Sequence, residues 1–122
     1  LEPLSGYLVL AEDLYRNGDR CAEGWNFGPK DEDCQSVEKI LNTMIKTWGE
    51  GASWELDSNS NPHEAGFLKL DCSKAAQQLK WVPHWNLEFT LSLIVKWHKA
   101  WMSNADMKKQ CLEEIDLYSN KL

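Results

Sequence analysis

Residues 61–64 are the stretch of this sequence whose residue types could most readily do chemistry. They read Asn-Pro-His-Glu, which places the His63 ring, a group that titrates near neutral pH, beside the Glu64 carboxylate. The stretch precedes a predicted strand, and loops of α/β folds commonly contact ligands. From the residues alone, a solvent-exposed loop with an incidental His-Glu pair is the more common interpretation.

The remaining chemistry-bearing residues form no recognisable motif. The sequence has no glycine-rich phosphate loop, no HExxH and no GxSxG, and its four cysteines include no CxxC pair. His84 lies in a predicted turn, and His98 lies on the apolar side of a predicted helix, which favours a core or boundary position. We therefore predict free thiols and no metal site in this chain.

Composition limits the classes of partner. The 122 residues suit one domain, and 13 basic against 19 acidic residues give a net charge of −6. That charge disfavours nucleic acid and anionic membranes, and no apolar run approaches the roughly 20 residues that span a bilayer. Because the chain opens on Leu1 without a charged and then apolar leader, we expect a cytoplasmic protein.

The elements that must position residues 61–64 follow from hydrophobic spacing and capping residues. Helical periodicity predicts helices over 2–17, 37–48, 87–102 and 106–119, with Asn86 capping the third of these. A shorter helix is predicted around 75–79, capped by Asp71 and ended by the Trp-Val-Pro sequence that follows.

Three short strands are predicted between these helices, around 25–27, over 53–57 and over 67–70. The expected fold class is therefore α/β, with about five helices and three short strands. So small a sheet leaves two edges without partners. We expect another part of a larger protein to complete it, or copies of the chain to self-associate.

Several stretches taken together resemble one family. The sequence is similar to the carboxyl-terminal third of the CDP-glucose 4,6-dehydratases and, more broadly, to the nucleotide-sugar branch of the extended short-chain dehydrogenases/reductases. The matching stretches are LEPLSGYL at 1–8, WNFGP at 25–29, WGEGASW at 48–54, PHEA at 62–65, LKLDCSKA at 68–75 and LKWVPHW at 79–85.

The resemblance implies a larger parent enzyme. In that family a Rossmann domain holds NAD, and a smaller carboxyl-terminal part closes over the nucleotide-sugar. The implied reaction oxidises the sugar at C4, removes water across C5 and C6 and returns the hydride to C6. The resemblance places the glycine-rich turn and the Tyr-xxx-Lys pair upstream. We expect residues 1–122 to be a single carboxyl-terminal domain that is inactive without the amino-terminal Rossmann half.

The resemblance also implies roles for the loop. Related enzymes read Arg-Pro-Gly-Asp or Arg-Pro-Gly-His here, with the arginine on the diphosphate and the last residue on the nucleotide. Asn61 stands in the arginine's place, so phosphate contacts are expected from the missing part. Glu64 aligns with the ribose-contacting position and His63 is expected beside phosphate or base, which makes CDP-glucose the expected ligand of all three residues.

Two alternatives stay open at this point. Within the superfamily the chain could come from a nucleotide-sugar epimerase, although the PHEA stretch argues against this. From a different class, the seven tryptophans could form the surface of a carbohydrate- or protein-interaction module. Exposed tryptophans would favour the module, and buried ones would favour the enzyme.

Overall fold

A computed structural model describes residues 1–57 and 69–120 of the chain, and within those ranges the secondary structure is helical. Four α-helices agree with the predicted spans: α1 (Glu2–Asn17), α2 (Val37–Trp48), α3 (Leu87–Met102) and α4 (Met107–Ser119). Shorter helical turns lie at Gly18–Cys21, Asp31–Asp33 and Ala75–Leu79. Helix α2 packs on α3, α3 on α4, and α1 on the 18–21 and 75–79 turns.

Local capping explains where the helices begin. The Ser36 hydroxyl accepts a hydrogen bond from a backbone N–H in the first turn of α2, the Asn86 amide oxygen does so for α3, and the Asp106 carboxylate does so for α4. Each cap satisfies one of the free N–H groups at a helix start. Helices α1 and α2 each end at a glycine with positive φ, Gly18 and Gly49.

The predicted α/β fold is wrong for the part of the chain that the structure describes. Residues 25–27 and 53–57 form no strand, nor do 69 and 70 of the third predicted strand, whose first two residues lie outside the described ranges. Alternating side chains indicate extended backbone, but a strand also needs a backbone partner. Trp25 and Phe27 instead pack around Trp81, and the Trp54 indole donates to the Asn42 amide oxygen 3.0 Å away.

The ring of Phe27 is the centre of the small apolar core. It meets the Trp81 ring edge to face, with centroids 5.0 Å apart, and both pack with Ala75, which is fully buried. On its other side the Phe27 ring lies against the backbone of Gly6 in α1. A side chain at position 6 would occupy the space that this ring fills.

The short helix spans 75–79 as predicted, but the residue that ends it is Lys80 and not the Trp-Val-Pro sequence that follows. A π-helical turn over Ala75–Leu79 stops at Lys80, whose backbone is left-handed at φ 56°, and the Trp81 N–H donates back to the Ala75 carbonyl at 3.2 Å. The left-handed residue ends the helix before Pro83 is reached. It thereby turns the Trp81 indole into the core.

A polar cluster joins the first turn of α1 to the last turn of α4. The Glu2 carboxylate accepts from the backbone N–H groups of His84 and Trp85, at 3.0 and 2.6 Å, and from the Tyr118 hydroxyl at 2.8 Å. Ser5 lies 2.8 Å from the same hydroxyl and accepts from the Trp81 indole. A charged acceptor with several donors holds the two helix ends and the 81–85 segment together.

Replacement of Gly6 by alanine should destabilise the fold. The new Cβ would enter the Phe27 ring, which is rigid and backed by Trp81. We expect a net loss of about 1–3 kcal/mol, despite the roughly 1 kcal/mol that alanine adds to a helix. Urea denaturation measures the change. Gly24→Ala is the control, because nothing lies within 4 Å of a Cβ there. Equal stability of the two variants would contradict the packing described.

Tyr118 should make the stability depend on alkaline pH. Burial raises the pKa of its hydroxyl from 10.0 to about 12. Because the pKa of Tyr118 is higher in the folded than in the unfolded state, the protonated hydroxyl contributes fully to the free energy of unfolding below pH 10. That contribution is lost as pH rises from about 10 to about 12. Phenolate absorbance should show one ionisation near pH 12 that Tyr118→Phe removes. Loss of a phase near pH 10 instead would show that the hydroxyl is solvated.

Candidate functional site

A groove beside the core is lined by charged side chains from two segments that are distant in sequence. We call it the 28–83 groove: its walls are residues 28–31 and 69–73, and its remaining lining is Ala76 with residues 81–83. Its volume is about 580 Å³, within the range of small-molecule sites. Trp81, whose indole belongs to the core, is part of this lining, so the groove is fixed to the centre of the molecule.

The outer end of the groove is closed by an ion pair and a close backbone approach. The Lys69 ammonium lies 2.6 Å from the Asp31 carboxylate. Gly28 lies so close to the opposite wall that a Cβ there would sit 3.3 Å from the Cys72 sulfur and from a Leu70 methyl group. A larger residue at 28 would push the two walls apart.

The inner end is held by hydrogen bonds from side chains to backbone. The Asn26 amide donates to the Asp71 carbonyl at 3.1 Å, and the Lys74 ammonium donates to the Gly24 carbonyl at 2.9 Å. Lys74 also lies 4.4 Å from the centroid of the Trp25 ring, a cation-π contact.

These contacts show that the two walls run in opposite directions. The contacts pair residue 24 with 74, 26 with 71 and 31 with 69. Residue numbers therefore fall along the segment that contains the second wall as they rise along the segment that contains the first. The walls are therefore antiparallel neighbours joined through side chains. The predicted strand around 25–27 and the described end of the predicted strand over 67–70 lie in these neighbouring segments, which form no backbone ladder among the described residues.

Two of the charged residues that line the groove, Lys69 and Asp71, keep their charges around neutral pH. The hydrogen bond to Asp31 raises the pKa of Lys69, which stays an ammonium. The Ser73 hydroxyl and backbone N–H lower the pKa of Asp71, which stays a carboxylate. A general acid or base works best with a pKa near the operating pH. These two residues are therefore suited to binding and orienting a polar ligand, and not to moving protons.

The predicted binding residues Asn61, His63 and Glu64 lie outside the described residues. The groove begins on the same connection, at Lys69, shortly after Glu64 along the chain. No role was predicted for Lys69 and Asp71, two of the four charged residues that line the groove. The sequence contained a sign of them, since both residues lie in the stretch 68–75, one of those that resemble the family.

The other histidines provide no second site. His98 is exposed and its Nδ1 lies 2.9 Å from the Ile94 carbonyl, so the predicted core or boundary position is wrong. His84 is exposed as well. Among the described residues, no three His, Cys, Asp or Glu side chains converge as a metal site would require.

The tryptophans do not form an exposed platform. All seven lie in the described ranges, and six of them are buried or partly buried, Trp101 being exposed. The interaction-module alternative is therefore not favoured. No helix in the described part of the chain has the length and apolar character needed to cross a membrane.

Comparison with curated proteins relates the chain to a dehydratase of a nucleotide-linked sugar. The relative is the CDP-glucose 4,6-dehydratase of Salmonella typhimurium (strain LT2), 56% identical over 118 residues. Those residues are 97% of this chain and 33% of the relative, so the chain spans about a third of the length of the curated relative it matches. No family model matches. The chain is thus related to the carboxyl-terminal third of a CDP-glucose 4,6-dehydratase, and the resemblance is confirmed.

Cys72, in the wall of the groove, should react slowly with alkylating agents. Burial raises the pKa of its thiol, and the thiolate is the nucleophile. Cys111 on α4 is exposed and serves as the internal control. Peptide mass spectrometry after limited treatment with iodoacetamide should find Cys111 modified first. Modification of Cys72 at the same rate would show that the walls are open, and the difference should vanish in urea.

Proposed function

We propose that this chain is the carboxyl-terminal, nucleotide-sugar-binding part of an NAD-dependent CDP-glucose 4,6-dehydratase. The identity of 56% over nearly the whole chain carries the proposal. The activity requires the whole enzyme, which converts CDP-glucose to CDP-4-dehydro-6-deoxyglucose and water. Because the relative is about three times as long as the matched region, most of the machinery of that reaction belongs to the part that precedes it.

The groove supports a binding role for this part of the enzyme. Two of its charged residues, Lys69 and Asp71, keep their charges around neutral pH. Lys69 is held by Asp31, and Asp71 is held by Ser73. Charged groups fixed in position can orient a polar ligand without rearrangement when it binds. The second wall begins at Lys69, five residues after Glu64 along the chain.

The loop residues have distinct proposed roles. The Glu64 carboxylate accepts hydrogen bonds from the ribose hydroxyls, since an ionised carboxylate is an acceptor with two oxygens. His63 lies beside the diphosphate or the base. Asn61 stands where related enzymes carry an arginine, so the diphosphate charge is balanced by the amino-terminal part.

NAD does not fit the residues of this chain. The sequence has no glycine-rich dinucleotide turn, and the described residues contain no strand from which such a turn could lead into a helix. We propose that the amino-terminal Rossmann half holds NAD and that the chain alone neither binds NAD nor turns over CDP-glucose. A cytoplasmic location remains a prediction from the sequence.

The proposal is tested on a joined enzyme, made by fusing the amino-terminal two thirds of the Salmonella relative to this chain at Leu1. Glu64→Gln keeps the shape of the side chain and removes its charge. A charge-assisted hydrogen bond is worth roughly 1.5 to 3 kcal/mol, so we expect KM for CDP-glucose to rise about tenfold to a hundredfold. The kcat should change far less, because Glu64 does not touch the reacting carbons.

Two further variants complete the kinetic test. His63→Ala should also raise KM, whereas Glu38→Gln, which removes an exposed carboxylate from α2, should leave both constants unchanged. No turnover of CDP-glucose by the unmodified joined enzyme would overturn the proposed activity. Turnover with KM unchanged in both loop variants would show that the loop is a surface connection.

A further inference from the structure

One face of α1 carries an apolar stripe that the described structure leaves uncovered. Its members are spaced three or four residues apart, and the exposed fractions of the larger side chains are 39% for Leu1, 56% for Leu4, 72% for Leu8 and 93% for Tyr15. Ala11 completes the series and is exposed as well. Residues at this spacing lie on one side of a helix. We call this surface the α1 stripe.

The opposite face of α1 is already occupied within the chain. Gly6 contacts Phe27, Val9 and Leu10 pack against the core, and the Asp13 carboxylate accepts from the Cys21 thiol. A helix with apolar residues on opposite sides is characteristic of the interior of a larger protein. The α1 stripe therefore has the composition of a covered surface.

A second observation lies at the amino-terminal end of the stripe. Leu1 and Pro3 line a small cavity of about 250 Å³ together with Trp85. Trp85 is 7% exposed, and its indole N–H has no acceptor among the described residues. Buried N–H donors in folded proteins are nearly always paired. The amino-terminal end of the α1 stripe therefore adjoins a part of the described structure in which a buried polar group is unpaired.

The size of the stripe argues against a second copy of this chain as its cover. From Leu1 to Tyr15 the helix rises about 21 Å and is about 10 Å wide. Such a strip is well below the roughly 800 Å² per partner of a stable interface. A covalently connected neighbour needs no such area, because its effective concentration is high.

On the basis of the proposed function, we infer that the α1 stripe is the surface on which the amino-terminal part of the parent enzyme packs. The relative has about two thirds of its length outside the matched region, which is its carboxyl-terminal third. That length is enough for a domain with an apolar face of its own. This inference moves the assembly surface from the predicted strands to the exposed side of α1.

The inference is tested by comparing two apolar positions of equal exposure. Leu8 in the stripe is 72% exposed and Val37 on α2 is 71% exposed, so Leu8→Glu and Val37→Glu are a matched pair. In the 122-residue chain both should leave the unfolding midpoint unchanged. In the joined enzyme, amide hydrogen exchange of α1 should slow about tenfold or more relative to the chain alone, the factor expected from burying a single leucine. Leu8→Glu should abolish this protection and Val37→Glu should keep it.

A milder variant and a separate readout keep the outcomes distinct. Leu8→Ala should reduce the protection partially, which guards against a joined enzyme that fails to fold with Glu at this position. If neither Leu8 variant changes α1 exchange in a joined enzyme that turns over CDP-glucose, the docking inference is overturned and the proposed function stands. If α1 is protected without turnover, the proposed function fails and the docking stands. A dimer of the chain alone that Leu8→Glu dissociates, seen by sedimentation, would assign the stripe to a second copy and overturn the inference.

Discussion

The contact between the Phe27 ring and the Gly6 backbone fixes the position of the 28–83 groove relative to α1. The ring holds α1 on one side and the Trp81 indole on the other. The residue after Phe27 opens one wall of the groove, and Trp81 contributes to its lining. A shift of this ring would therefore move helix, wall and lining together. The small core serves mainly to hold the groove in register with α1.

The charged side chains divide between two tasks. Glu2 accepts from two backbone N–H groups and one hydroxyl, so its charge is used to hold α1 against the last turn of α4. Lys69 and Asp71 are held by single neighbours at the rim of the groove. Both arrangements hold charged groups in place. At the rim, the neighbours of Lys69 and Asp71 move the two pKa values away from neutrality. Such a chain can position a substrate while the chemistry is done by groups supplied from elsewhere.

Local pattern was sufficient for the helices and insufficient for the rest. Periodicity predicts α3 and α4 nearly to the residue, and the cap at Asn86 marks the start of α3, because both signals act within one or two turns. The strands failed because pairing depends on a distant partner. The groove was missed for the same reason: Asn26 meets residue 71 and Lys74 meets residue 24, across 45 and 50 residues. The roles of Asn61, His63 and Glu64 were predicted from the resemblance, and they stay predictions.

The hydrogen bond between Tyr118 and Glu2 joins residues 116 positions apart, almost the full length of the chain. Contacts of such long range form slowly, since a large loop must close before they contribute. During synthesis this bond can form only after α4 has left the ribosome, when the residues around Glu2 have long been exposed. Completion of this region therefore waits for the synthesis of Tyr118, and a nascent chain that stops short of Tyr118 leaves the Glu2 carboxylate without that donor.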